Sequence, residues 1–186
     1  MTIQVIDSSG RQKGATSAMM QLYDNVAAGA IASWDVSSIS QAYNYLKVLV
    51  QGRSDNATVL TTILLRLNND SAANYNGNNP TFQNATVVGG ETLGATSMPV
   101  GAVPGSTATA NRPGNSELVI HDYKGTVFHK QVTGSAMHTR DDSTTNQEVQ
   151  LLGGLWRSTA AVNRITVTPA AGNFIAGSRL TIYGLL

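Results

Sequence analysis

The chain has 186 residues, a formal net charge of +1 and no cysteine. A chain of this length is typical of one domain, and the lack of cysteine excludes disulfide frameworks, thiolate metal sites and cysteine nucleophiles. With 12 basic and 11 acidic side chains, the protein has no strong field to attract nucleic acid or an anionic membrane, so we expect neither as a partner.

The composition departs from an average soluble domain in its charge content. Charged residues make up 12% of the chain, where roughly 25% is usual. Thr, Ser, Asn and Gly are abundant instead, which favours many short strands and turns. A surface made soluble by small uncharged groups is typical of a protein that packs against copies of itself or against another assembly.

The N-terminal segment predicts an extended arm. Residues 1–18 alternate weakly at Ile3 and Val5 and then become polar, with Arg11 and Lys13. These four side chains are candidate contacts to a partner. The segment 17–25 reads equally as a short helix or a strand, and we place the boundary of the folded domain, 19–186, inside it. No stretch has the roughly 18–20 apolar residues of a membrane helix, and the start lacks the pattern of a signal peptide.

Clear two-residue periodicity follows the arm. A first strand is predicted around Trp34. In the segment 42–51, Leu46, Val48 and Val50 share one face, and in 58–68 the alternate residues from Val59 to Leu67 do the same. The polar residues 52–56 read as a turn, so the two strands are predicted to form an antiparallel pair.

Residues 68–115 predict long functional loops, because four of the five prolines lie there without clear periodicity. Tyr75 stands in this region and is therefore a candidate for external contact. The Asn-rich stretch 68–79 has the oxygen donors of a calcium loop but a single carboxylate, Asp70. Turns built by Asn in left-handed conformations are the favoured reading.

Strands resume in the last third of the chain. The segments 117–123 and 126–133 flank Lys124 and Gly125, which predict a two-residue hairpin turn. Three more strands are expected at 147–156, 162–168 and 180–184. With a weak strand near 92–100, the total of eight or nine short strands predicts an all-β, antiparallel β-sandwich, and its arrangement is predicted to be a jelly roll. The immunoglobulin alternative lacks its Cys and Trp spacing.

The polar residues form no pattern that predicts catalysis. His121, Asp122 and His129 could approach one another across a hairpin, but His121 and Asp122 point to opposite faces of one strand, so we expect no metal site. There is no Gly-x-Ser-x-Gly elbow. A carboxylate pair for glycoside hydrolysis could be built from Glu117, Asp141, Asp142 or Glu148, but adjacent aspartates at a turn more often cap or solvate it. We expect no catalytic residue, no enzymatic activity and no cofactor.

The C-terminal half resembles a terminal module of structural proteins in tailed bacteriophages. The resemblance is carried by 151–156 (LLGGLW), 158–162 (STAAV), 165–174 (ITVTPAAGNF) and 180–184 (LTIYG), with Trp34 and the 66–70 segment (RLNND) upstream. It covers residues 28–186. It implies a single jelly roll that assembles as a homotrimer in the virion, and it transfers no active site.

Two functions follow from this resemblance. A short arm without a fibrous shaft favours a capsid decoration, or cement, protein on the outer surface of the head, with the major capsid protein and the chain itself as partners. In that function the arm extends onto a neighbouring subunit or the capsid. The alternative is a tail-fibre or tail-tip module in which loops between Asn68 and Pro113 recognise a host glycan or protein receptor.

Overall fold

The computed structural model describes residues 5–6, 12–13, 18–83, 86–140 and 146–186. For residues 5–6, 12–13 and 146 only the backbone is described. All regular elements in the described ranges are β-strands, and none of these residues forms a helix that could cross a membrane.

Sixteen strands are present within the described residues. In chain order they are β1 (Val5–Ile6), β2 (Gln12–Lys13), β3 (Met19–Val26), β4 (Trp34–Val36), β5 (Tyr45–Gly52), β6 (Leu60–Leu67), β7 (Tyr75–Asn78), β8 (Thr81–Gln83), β9 (Thr86–Val88), β10 (Glu91–Ala95), β11 (Met98–Pro104), β12 (Gly114–Ile120), β13 (Lys130–Arg140), β14 (Asn146–Trp156), β15 (Ile165–Pro169) and β16 (Arg179–Leu185).

Eight of these strands have the connectivity of a jelly roll. They form the antiparallel pairs β3–β16, β4–β15, β5–β12 and β6–β11. The pairs lie in two sheets with the orders β3-β16-β5-β12 and β4-β15-β6-β11. A ribbon of four such pairs wound across two facing sheets is the double Greek key of that fold. The sequence-based prediction of an antiparallel sandwich is therefore confirmed.

Insertions widen one of the two sheets. The β13–β14 hairpin extends the first sheet beyond β12, and β7, β8, β9 and β10 continue it to a total of ten strands. We call this the large sheet, and the four strands β11-β6-β15-β4 the small sheet. The large sheet therefore presents a broad face on the side away from the small sheet, which we call the outer face.

The core lies between the two sheets and follows the alternation in the sequence. Leu46, Val48 and Val50 of β5 face Ile63 and Leu65 of β6, and all five are buried. At the end of the sandwich near β4, the rings of Trp34 and Phe174 lie 4.5 Å apart between centroids. Trp156 is also buried. The alternate side chains of the large sheet, which point away from this core, form the outer face.

The structure corrects three predictions of strand connection. β5 and β6 do not pair, because they lie in different sheets and the segment 52–56 crosses between them. Residues 68–115 contain the five strands β7 to β11 rather than long loops with a single weak strand near 92–100. β12 and β13 pair as predicted, but the nine residues 121–129 connect them instead of a two-residue turn. The ambiguous segment 17–25 contains a strand, β3.

Candidate functional site

Tyr75 is not a surface contact, and its predicted position in a loop is wrong. It opens β7, its side chain is fully buried and its ring stacks on that of Trp156, with centroids 6.4 Å apart. Its hydroxyl accepts a hydrogen bond from the backbone N–H of Leu67 at 3.0 Å and lies 3.1 Å from the carbonyl oxygen of Asp70. Burial raises the pKa of Tyr75 to about 12. The residue therefore joins the Asn-rich turn to the core.

The only carboxylate of that turn is occupied by protein donors. Asp70 accepts hydrogen bonds from the indole N–H of Trp156 at 2.7 Å, the side-chain amide of Asn74 at 3.0 Å and the backbone N–H of Ala72 at 2.9 Å. The hydrogen bonds from Asn74 and then Trp156 lower the pKa of Asp70. Asn68 and Asn69 have φ values of 53° and 56°, so they supply the left-handed turn that the sequence favoured over a calcium loop.

The arm residues are described only in part. β1 and β2 form a separate two-stranded antiparallel sheet in which Val5 lies opposite Lys13. Ile3 and Arg11 lie outside the described residues. The predicted contact of all four residues with a partner stays a prediction.

His121 and His129 do come together at one end of the large sheet. They line a depression of about 570 Å³ with Asp122, Val127 and Phe128. Nε2 of His121 lies 2.8 Å from the hydroxyl oxygen of Thr133. No group of three His, Cys, Asp or Glu side chains among the described residues is placed to hold a metal ion.

The acidic residues do not form a catalytic pair where they are described. Glu117 lies on the outer face, where its carboxylate is 2.7 Å from Nζ of Lys47. Glu148 lies on the opposite face of the same sheet and is buried. Asp141 and Asp142 lie outside the described residues.

Sequence reasoning missed a buried pair, His138 and Glu148. They are cross-strand neighbours on β13 and β14, with Nε2 of His138 3.0 Å from Oε2 of Glu148. Burial is the largest influence on the pKa of His138 and lowers it, while the hydrogen bond to Glu148 raises it. Both side chains are almost completely buried between the sheets, so the pair is a structural contact of the β13–β14 hairpin.

The outer face carries an apolar patch at its β13–β9 end. Met137, Val149, Phe82 and Val87 are successive cross-strand partners, and Leu151 lies two residues from Val149 on the same strand. Directly opposed side chains on one face have Cβ atoms about 5 Å apart, so the five form a continuous surface. They are 42–59% exposed. We call them the outer patch. The sequence analysis did not find these five residues as a group, because β8 and β9 lie in the segment predicted to be loops.

A groove crosses the outer face and ends at the outer patch, two of whose residues, Met137 and Val149, line it. It has a volume of about 620 Å³ and runs from Arg179, Thr181 and Tyr183 of β16 to Met137 and Val149. We call it the outer groove. Its middle is lined by Leu49, Gln51, Asn115, Glu117 and Ser135.

The β12–β13 loop, 121–129, is held firmly and displays two apolar side chains. At one end Tyr123 is buried and its hydroxyl donates to the carbonyl of Ser40. At the other end Lys130 is buried, and its ammonium donates to the carbonyl oxygens of Phe128 at 2.9 Å and Thr159 at 3.3 Å. Between these anchors Val127 is 73% exposed and Phe128 is 71% exposed. A fixed loop that exposes two neighbouring apolar side chains has the character of a docking tip.

No protein-family model matches this chain, and no curated protein does either.

Proposed function

We propose that this chain is a non-enzymatic structural protein of a bacteriophage virion that decorates the outer surface of the head as a homotrimer. The outer patch is the observation that carries the proposal, because it is a continuous apolar surface on the widest sheet of a jelly roll. Contiguous exposed apolar side chains mark interaction surfaces. The low charge content, 12%, fits a surface that docks.

Packing among copies accounts for the outer patch in this proposal. Complete burial of a Val, Leu, Met or Phe side chain gives about 1.5–3 kcal/mol, and the patch residues are already close to half buried. The remaining gain is comparable with the roughly 4–15 kcal/mol lost on association. Contact with one neighbour would therefore give little net stability. Near a three-fold axis each copy buries its outer patch against two neighbours, and the three copies form a closed ring.

The loop tip supplies the second contact in this proposal. Val127 and Phe128 are ordered by Tyr123 and Lys130 before any partner arrives, so binding loses little further loop entropy. An apolar pocket on the capsid lattice is the matching partner. A trimer presents three such tips, and the resulting avidity lets weak single contacts hold the protein on the shell.

Light scattering coupled to size exclusion tests the self-association. The expected mass is three times the 19.5 kDa of one chain. The double variant Phe82→Ser/Val149→Ser is expected to run as a monomer, because the centre of the outer patch is lost. Val26→Ser is the matched control, since this exposed valine lies at the opposite edge of the large sheet on β3. A wild-type monomer at micromolar concentrations would defeat the trimer.

The location is tested by adding purified protein to phage heads that lack it. The heads come from the phage that encodes the protein. Sedimentation should recover wild-type protein with the heads, and imaging should place it on their outer surface. Val127→Ser/Phe128→Ser should reduce occupancy at least tenfold while the protein stays trimeric. Absence of wild-type protein from the heads, or its presence only at the tail of imaged virions, would refute the decoration function.

A further inference from the structure

We propose that the outer groove binds a neutral oligosaccharide. This inference goes beyond the proposed function and does not depend on it. It starts from the side-chain amides of Gln51 and Asn115, which are cross-strand neighbours on β5 and β12. Both side chains are exposed and both line the groove, and neither amide has a hydrogen-bond partner in the described part of the chain.

The charges around the groove compensate one another. On one side Arg179 donates to both oxygens of Asp24, at 2.7 and 2.5 Å. On the other side Lys47 and Glu117 are 2.7 Å apart. Each charged side chain that borders the groove therefore has its own counter-charge. A nucleotide or an acidic polymer would find no free cation here, so the groove suits an uncharged ligand.

The remaining lining matches the two kinds of surface on a sugar. Leu49 and the ring of Tyr183 offer apolar surface to the C–H groups of a pyranose. An amide both donates and accepts hydrogen bonds, as a sugar hydroxyl does, so Gln51 and Asn115 can bind adjacent hydroxyls. The hydroxyl of Ser135 adds a third such group. A few convergent polar groups around an apolar floor are typical of ligand sites.

The shape of the groove requires an extended ligand. It reaches from β16 across β5, β12 and β13 to β14. With strands about 4.8 Å apart, this distance is roughly 19 Å. A monosaccharide would fill only part of that length, whereas a short chain of sugar units would lie along it. A peptide is less suitable, because its backbone groups pair with sheet edges rather than with sheet faces.

A glycan array tests the ligand class. Labelled wild-type protein is applied to printed neutral hexose and N-acetylhexosamine oligosaccharides and to their sialylated and sulfated counterparts. We expect saturable binding to neutral oligosaccharides. Failure of every neutral oligosaccharide to bind, or binding to acidic glycans alone, would overturn the proposal.

Titration of the ¹⁵N-labelled protein with the strongest neutral oligosaccharide of the array tests the site. The side-chain NH₂ signals of Gln51 and Asn115 should shift, and Gln51→Ala and Asn115→Ala should each weaken binding at least tenfold. Asn163→Ala, which removes an exposed amide from the loop before β15, should bind as the wild type does. Unchanged affinity in both groove variants would overturn the assignment. Because no capsid is present, the result is separate from the test of decoration.

Discussion

Arg53 shows how one side chain can order a long connection in a chain with few charges. Its guanidinium donates four hydrogen bonds to backbone carbonyls of the β11–β12 connection, from residues 105, 108, 109 and 112, at 2.6–3.0 Å. Desolvation by burial lowers the pKa of Arg53. The planar fork of the arginine reaches all four oxygens, which a lysine cannot do.

We therefore expect Arg53→Met to destabilise the protein by about 2–4 kcal/mol, because several charge-assisted hydrogen bonds to partly buried carbonyls are lost together. Urea unfolding measures the loss, and amide exchange should accelerate in residues 105–113. Arg66→Met is the matched control, since Arg66 makes a single hydrogen bond to the Thr96 carbonyl at the surface. Equal losses in the two variants would contradict the role of Arg53.

His138 should make stability depend on pH in a window set by its burial. Its pKa in the folded protein lies below the ordinary value of 6.5, with desolvation as the main cause. Below pH 6.5 His138 binds a proton more readily in the unfolded chain than in the folded protein. The contribution of His138 to stability is therefore fully present above pH 6.5 and decreases as the pH falls below it. We expect the free energy of unfolding to be lower at pH 5.0 than at pH 7.5, as measured by urea titration.

Two comparisons isolate the contribution of His138. His138→Gln should flatten the change between pH 7.5 and 5.0, whereas His129→Gln, at an exposed position, should keep it. Hydrogen bonds lower the pKa of Asp70 below its ordinary value of 3.8. The contribution of this carboxylate to folding stability is therefore lost only below the pH range of 5.0 to 7.5 that these measurements cover. An unaltered pH dependence in His138→Gln would show that the buried pair is not its source.

At the scale of elements, a bulge in β11 lets the two sheets approach closely. The register of β11 against β6 shifts between Pro99 and Ala102, and Gly101 in the bulge has a φ of 110°. A Cβ at this position would collide with the side chains of Ser116 and Ala136 on the large sheet. Glycine is therefore required both by the backbone conformation and by the lack of space.

Gly101→Ala should destabilise the protein by about 2–4 kcal/mol, from left-handed strain and overpacking combined. Gly89→Ala is the control, because an added Cβ there meets no atom within 4 Å and its φ is not positive. We expect the control to stay within about 1 kcal/mol of the wild type. Thermal and urea unfolding measure both changes, and a tolerant Gly101→Ala would mean that the bulge can rearrange.

The elements also show what the sequence could predict. Alternation correctly placed Leu46, Val48 and Val50 in the core, because a long strand repeats its pattern several times. It failed for β8, whose three residues Thr81–Gln83 are too few to show a period. It also paired β5 with β6, because a short turn is compatible with a hairpin and with a crossing between sheets. The outer patch depends on that short strand and on pairings distant in the chain, so it could not be found locally.

At the scale of the whole molecule, the jelly roll separates the core from the exposed surfaces for which we propose binding. The His138–Glu148 pair and the apolar core lie between the sheets, whereas the outer patch, the outer groove and the loop tip all belong to the large sheet or its connections. The insertions β7–β10 and β13–β14 widen that sheet beyond the four strands of its half of the roll. They supply every residue of the outer patch.

The described part of the arm pairs with no strand of the sandwich. β1 pairs with β2 in a sheet of its own, while all strands of the large sheet and the small sheet begin at Met19 or later. An isolated two-stranded ribbon is at best marginally stable in water. Deletion of residues 1–14 should therefore leave the unfolding midpoint of the body within about 2 °C of that of the full chain, because neither β1 nor β2 pairs with a strand of the sandwich.

The same deletion should abolish attachment to heads that lack the native protein if the arm reaches a neighbouring subunit or the capsid. Sedimentation with such heads measures the loss, and circular dichroism of the truncated protein confirms that the strands remain. The double substitution Val5→Ser/Lys13→Ser in the full chain is the finer comparison, since it keeps the length of the arm. Wild-type occupancy by the truncated protein would assign attachment to the Val127–Phe128 tip alone, whereas a truncated body that unfolds would place the arm within the cooperative fold.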